Sequence, residues 1–137
     1  MIVEISIEDE SSFKIEKFLF ESLAMRIEKQ ESLSPQKRVF VNLCSEQTIT
    51  ELNKKYRFCE RSTDVLAFGS DFSYSSFLGD IFINYDDIKN RTGQHHKNRT
   101  LKKLFVHGTL HLIGYDHFSS VQRQEMQKRE RYYEQFL

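Results

Sequence analysis

No stretch of the sequence approaches the ~20 consecutive apolar residues of a membrane-spanning helix. Cysteine is scarce: Cys44 and Cys59 stand singly, with no Cys-x-x-Cys pair. That usage points to two free thiols in a reducing cytoplasm, with Cys59 as a fourth metal ligand or redox partner the alternative. An excess of either charge is also missing, since 20 Lys and Arg stand against 20 Asp and Glu. This excludes a protein held to nucleic acid by bulk electrostatics, so any basic surface must be local. There is no internal repeat, low-complexity tract or interdomain linker. The first residues alternate and turn acidic at Glu4, unlike a signal peptide. What is present is a chain of 137 residues, 39% hydrophobic and 29% charged, the composition of a soluble single domain with room for a core.

Hydrophobic periodicity predicts the elements. Val3, Ile5 and Ile7 alternate with Glu4, Ser6 and Glu8, a half-buried strand over 2–8. Ser11 or Ser12 is placed to cap an amphipathic helix from Phe13 to Lys29, with Phe13, Phe20, Leu23, Ala24 and Ile27 on its stripe. A β-rich run from Lys37 to Cys44 follows, then a helix capped by Ser45 and running to about Tyr56. Asp64–Phe68 and Leu78–Ile83 read as strands of a hairpin with a Ser-rich connection. A short helix from Asn84 or Asp86 stops near Gly93, and His95 to Asn98 reads as a polar connection. A helix from about Thr100 to Ile113 carries apolar residues around most of its circumference, which predicts burial on most sides. Ser119-x-x-Gln122 is a capping box opening a last helix, with Val121, Met126, Tyr132, Tyr133 and Phe136 facing inward. The expected architecture is a single α+β (α/β) domain over 1–137, with a mixed sheet of about four strands flanked by about five helices.

Three of the five histidines fall in one short stretch, as His107-x3-His111-x5-His117. Two residues four apart on a helix are separated by about 40° around the axis and one turn along it, so both imidazoles can bind one ion. Gly114 lets the chain leave the helix and return with the third. Three neutral imidazoles leave one tetrahedral position of Zn²⁺ open, the catalytic arrangement, and nickel, copper, manganese or iron would accept the same nitrogens. Asp116 could orient an imidazole or hold a water. The spacing equals that of the metzincin proteases, His-Glu-x-x-His-x-x-Gly-x-x-His, but Gly108 stands where their glutamate base belongs. A mid-helix glycine costs about 1 kcal/mol against alanine. The expectation is that Gly108 leaves room for a bulky substrate near the metal.

The stretch His107-Gly-Thr-Leu-His111-Leu-Ile-Gly-Tyr-Asp-His117 resembles the signature His-Gly-x-Leu-His-Leu-x-Gly-Tyr-Asp-His of the YbeY family of bacterial rRNA maturation endoribonucleases. Leu52 to Phe68 is similar to that family's Leu-Asn-x-x-Tyr-Arg-x-x-Asp-x-Pro-Thr-Asp-Val-Leu-Ser-Phe-Pro block, and Leu78-Gly-Asp-Ile81 to its Leu-Gly-Asp-Ile strand. Glu60, Ser62, Ala67 and Gly69 depart from the pattern, where the family has Asp, Pro, Ser and Pro. The resemblance implies a metal-dependent, single-strand-specific endoribonuclease acting in 3′-end maturation of 16S rRNA, ribosome biogenesis and ribosome quality control. It implies a small mixed sheet with one zinc ion at the end of a groove, His107, His111 and His117 as ligands, and Arg57 as a functional arginine.

Arg57 suits that role chemically, because a guanidinium is a planar, permanently charged fork for phosphate oxygens. Asp64 is a candidate partner for Arg57 or for a histidine, and Tyr115 reads as packing. Lys54, Lys55, Arg61, Lys102 and Lys103 are candidates to line an RNA path; Phe58, Phe68, Phe72 and Tyr74 are candidates to stack on bases, Phe68 more as core. His95 and His96 read as surface residues without ligand spacing. Two other functions fit less well: a ribosome-assembly factor with a mainly structural zinc, and a metzincin-like metalloprotease, which the missing glutamate disfavours. The neutral net charge points to protein partners, such as a ribosomal protein or an assembly GTPase, sharing in the recognition of rRNA in the cytoplasm.

Overall fold

The computed structural model describes residues 1–11, 13–70, 76–90 and 93–137. Its elements are β1 (Ile2–Ile7), α1 (Phe18–Gln30), β2 (Arg38–Cys44), α2 (Glu46–Arg57), β3 (Val65–Gly69), β4 (Phe77–Asn84), α3 (Tyr85–Lys89), α4 (Gln94–Leu112) and α5 (Ser120–Glu134). The four strands form one sheet in the order β1-β2-β4-β3. β1, β2 and β4 are parallel, while β3 runs antiparallel to β4 and closes one edge. This is the expected α+β domain with a mixed sheet, and the expected hairpin is β3–β4. Among the described residues, no helix is long and apolar enough to cross a membrane.

The core lies on one face of the sheet. Val39, Val41 and Leu43 alternate along β2 and are at most 1% exposed, as are Ile81 and Ile83 on β4. They join Phe20, Leu23, Ala24 and Ile27 of α1 and Leu101, Phe105 and Leu110 of α4 in one cluster. The rings of Phe20 and Phe105 stack with centroids 4.8 Å apart, locking the two helices together. Burial of these branched and aromatic side chains, each worth about 1.5–3 kcal/mol, is what holds α4 in place. Cys44 is buried there too, its thiol pushed up to about 12 by burial, then by the negative charges of Glu8 and Asp86. Both cysteines are free.

Several boundaries differ from the sequence expectation, for local reasons. α1 begins at Phe18, with Lys17 at its N-cap and no side-chain cap, while the Ser11 hydroxyl donates to Asp9 at 2.6 Å. Phe13 is still buried, but from an extended segment, with its ring against Tyr85. Ser12, the alternative cap, lies outside the described residues. Ser45 does cap α2, accepting from the Thr48 N–H, and Asn84 caps α3. α4 begins at Gln94, so His95 to Asn98 are helical. Apolar periodicity starts only at Leu101. The preceding turns are held by polar pairs, Gln94 Nε2 to Asn98 Oδ1 at 2.9 Å and Thr100 Oγ1 to the His96 carbonyl at 3.0 Å. The Ser119–Gln122 capping box opens α5 as expected, but Val121 in its first turn is 68% exposed; Met126 and Tyr133 are the buried anchors.

Candidate metal centre and cleft

A cleft of about 1120 Å³ runs between the edge strand β3 and α4. Thr63, Asp64, Val65, Leu66, Ala67 and Gly69 form one wall, with Arg57 beside them. His96, Arg99, Lys103, His107 and His111, spaced three or four residues apart on one face of α4, line the other. Asp116, His117 and Phe118 close one end.

Two close approaches set α4 against the sheet. A Cβ built on Gly108 would lie 2.8 Å from Ile81 Cγ2, and one on Gly79 would lie 2.7 Å from Leu112 Cδ2. Gly79 also has φ +149°, which disfavours any side chain. Gly108 lines the cleft, and its missing side chain also makes room for Ile81 beneath the helix, so it answers a need of helix-to-sheet packing as well. His107 and His111 are only half-buried and line the cleft, although the apolar circumference of their helix predicted burial on most sides.

The end of α4 is a Schellman turn. Gly114, at φ +113°, donates its N–H to the His111 carbonyl at 3.1 Å, and Tyr115 donates to Leu110 at 3.0 Å. The reversal brings the next residues back over the helix. Ligand atoms of His111, Asp116 and His117 all lie within 4.8 Å of one another, so this group can hold a metal ion. The Asp116 carboxylate accepts the His117 N–H at 2.8 Å. The His107 ring stands beside this group, its centroid 4.8 Å from that of His111, and the His117 ring is 5.0 Å away on the other side. Burial above all, then the neighbouring His107 and His117, push the His111 imidazole below its usual range, against the opposing pull of Asp116 and the Tyr115 backbone. That favours the neutral form, the one that donates a lone pair.

Across the cleft, Arg57 is anchored at one nitrogen. Nη2 donates to the Ala67 carbonyl at 2.7 Å, and the guanidinium lies 5.1 Å from the centre of the Phe68 ring. Phe68 in turn meets Tyr56 and Phe82 edge-on, so it supports the arginine from within a packed aromatic group. Asp64 lines the cleft, and its carbonyl accepts the Asn84 N–H at 2.9 Å.

Of the five other cations expected along an RNA path, only Lys103 lines this cleft. Lys54 faces Glu60 at 3.4 Å, Lys55 lies over the Tyr56 ring, and Arg61 donates to the Cys59 sulfur at 3.2 Å. Cys59 is not among the residues that line the cleft. Lys102 is next to Lys103 in sequence but about 100° around the helix, off the cleft face. Phe58 is 93% exposed at the left-handed end of α2 and is not among the lining residues, whereas Phe72 and Tyr74 lie outside the described residues. Four lining residues escaped the sequence reading. His95, His96 and Arg99 sit on helical turns that carry no apolar signal, and Glu130 arrives from α5. Phe118, 82% exposed beside His117, is the aromatic that does line the cleft.

The family model described as Endoribonuclease YbeY matches residues 4–137. The chain belongs to this family. Among curated relatives, the endoribonuclease YbeY of Shouchella clausii is 31% identical over 142 residues, covering 91% of this chain and 89% of that protein. That of Acholeplasma laidlawii is 34% identical over 118 residues, covering 85% of each. A Thermotoga maritima protein solved in solution superposes with a TM-score of 0.56 at 27% identity, covering 97% of this chain and 87% of that one. The YbeY signature therefore coincides with the turn that gathers His111, Asp116 and His117.

Proposed function

We propose that this YbeY-family chain is a zinc-dependent, single-strand-specific endoribonuclease that matures the 3′ end of 16S rRNA and serves ribosome biogenesis and quality control in the cytoplasm. The observation that carries it is the pairing, across one cleft, of a histidine-rich donor group with an anchored arginine. The donor set fits zinc. Two imidazoles and a carboxylate in one group, with the His107 ring beside them, are borderline-soft and hard donors of the kind zinc accepts, and burial favours the ligating form of His111. His107, His111 and His117 would hold the ion, with Asp116 fixing the loop through the His117 N–H. Bound zinc supplies Lewis acidity toward a phosphoryl oxygen and toward water.

The chain's own residues do the rest. Arg57 spends one donor on Ala67 and keeps others for a phosphate, so charge developing on the phosphoryl oxygens meets a preorganised cation. Arg99 and Lys103, one helical turn apart, add positive charge along the same wall. A cleft of about 1120 Å³ between β3 and α4 has room for a single strand with splayed bases. With no net charge to draw in naked RNA, a ribosomal protein or an assembly GTPase supplies part of the recognition.

Cleavage of a 16S rRNA 3′-end fragment, with metal content measured in the same samples, tests this. Wild type is expected to carry about one zinc and to cut. His111→Ala loses both metal and cutting. Arg57→Ala keeps its metal and loses roughly 10²–10³-fold in kcat. Cutting that survives His111→Ala unchanged would sink the proposal.

A further inference from the structure

Glu130 is a carboxylate on the wrong face of its helix. α5 is anchored by Met126, 1% exposed, and Tyr133, 0% exposed. Glu130 lies four residues after the first and three before the second, so it shares their inward stripe. A carboxylate on such a stripe needs a partner that replaces water. Among the described residues its ion-pair partner is His107: Oε1 lies 3.4 Å from Nδ1, with the two side chains 26% and 32% exposed. Glu130 also lines both the cleft and the small gap between α4 and α5, so it stands where the last helix meets the candidate metal centre.

We propose that Glu130 is the positioning residue for His107: its carboxylate accepts the Nδ1–H, fixes the ring's tautomer and rotation, and leaves Nε2 as the nitrogen presented for metal binding. A hydrogen-bonded carboxylate behind an imidazole raises the basicity of the far nitrogen and limits the ring's rotation. The other two rings differ: the carboxylate near His117 Nδ1 is that of Asp116, 4.0 Å away in the same loop. His111 is set by burial in the helix and His117 by the turn at Gly114, whereas His107 is the ring set furthest from the Asp116 loop. The chain has Gly108 where proteases of the same spacing carry a glutamate. Its carboxylate beside the first histidine comes instead from α5, and it faces the histidine.

The inference rests on the zinc reading above, so the test separates the two. In the metal-free full chain, ¹⁵N–¹H spectra of the His107 ring should show the proton on Nδ1 in wild type and in Glu130→Gln, whose amide oxygen still accepts. That preference is lost in Glu130→Ala. Zinc affinity by chelator competition should then fall about 10- to 100-fold in Glu130→Ala and stay within a few-fold in Glu130→Gln. An alanine variant with wild-type tautomer and affinity overturns the proposal. So does a glutamine variant that keeps its zinc but cuts as poorly as alanine, because the carboxylate would then be moving a proton. A wild type that binds no zinc overturns the zinc reading, while the tautomer measurement still decides whether Glu130 orients His107.

Discussion

The donor residues come from two pieces of chain that are held in place differently. His107 and His111 ride on α4, a helix of 19 residues that buries Leu101, Phe105 and Leu110, each at most 1% exposed. Asp116 and His117 ride on a short loop with little burial of its own, and His117 has a side-chain exposure of 55%. The helix half is positioned by packing over many atoms. The loop half is positioned by a few directional bonds: the Schellman pair at Gly114 and a tether beyond it. In that tether Tyr115 donates to Glu31 Oε2 at 2.9 Å, while Tyr133 donates to Oε1 at 3.0 Å, with Arg129 3.8 Å away. One carboxylate at the end of α1 thus joins the ligand loop to α5. Packing gives a site its place in the molecule, and single bonds give it its last degree of alignment.

The comparison is open to measurement. Phe105→Ala strikes the helix half. It removes a fully buried ring stacked on Phe20 and should cost about 3–5 kcal/mol in urea unfolding. If stability barely moves, packing is not what sets α4. Tyr115→Phe strikes the loop half, removing one hydrogen bond to a charged acceptor, worth about 1.5–3 kcal/mol. Here zinc affinity should fall by more than in an equally destabilised core variant elsewhere; equal losses would mean that the tether does not align the loop.

Gly108→Ala probes the join between helix and sheet. Helix propensity favours alanine by about 1 kcal/mol, while overpacking against Ile81 costs about 1–3 kcal/mol, so a net loss near 1 kcal/mol is expected. In an Ile81→Ala background the same change should turn stabilising, since the three nearest atoms it would meet, all of Ile81, are gone. A penalty that persists there would refute the close-approach account. The smallest effect lies outside both halves. The Glu8 carboxyl is held below its usual range by its hydrogen bond from Thr48, then by the Ser45 N–H, and Asp86 by the Glu46 N–H and Lys89. A depressed carboxyl pKa adds stability that is complete above the unfolded value and is lost as pH falls through the folded one. Stability should therefore decline below about pH 4.5. Glu8→Gln should flatten that decline without changing zinc affinity at neutral pH.

Much of the site was legible because it is local. His107 and His111 fall on one helical face by spacing alone, Gly114 marks the exit, and Ser45 and Ser119 cap helices as their positions promise. The errors share a cause as well. The early turns of α4 bury nothing, so periodicity could not find them, and the wall formed by His96 and Arg99 went unread with them. Lys54, Lys55 and Arg61 look like a basic patch in one dimension, yet their side chains are engaged around the end of α2. Gly108 was recognised as costly in a helix, but the neighbour that requires it, Ile81, is on β4 and could not be inferred from spacing.

By itself the sequence determined the ligand spacing, the turn between the second and third histidines, and the alternation that makes the strands, because each depends on residues within a turn or two of one another. The sheet order β1-β2-β4-β3 decided everything that faces those histidines. It put β3 at the edge, where its outer side is free to form a cleft wall with Arg57 anchored on the Ala67 carbonyl. It set α4 close enough to β4 to require glycine, and the return of α5 over α4 brought Glu130 to His107. Such neighbours are chosen by how whole elements bury their apolar faces, and no local pattern encodes them.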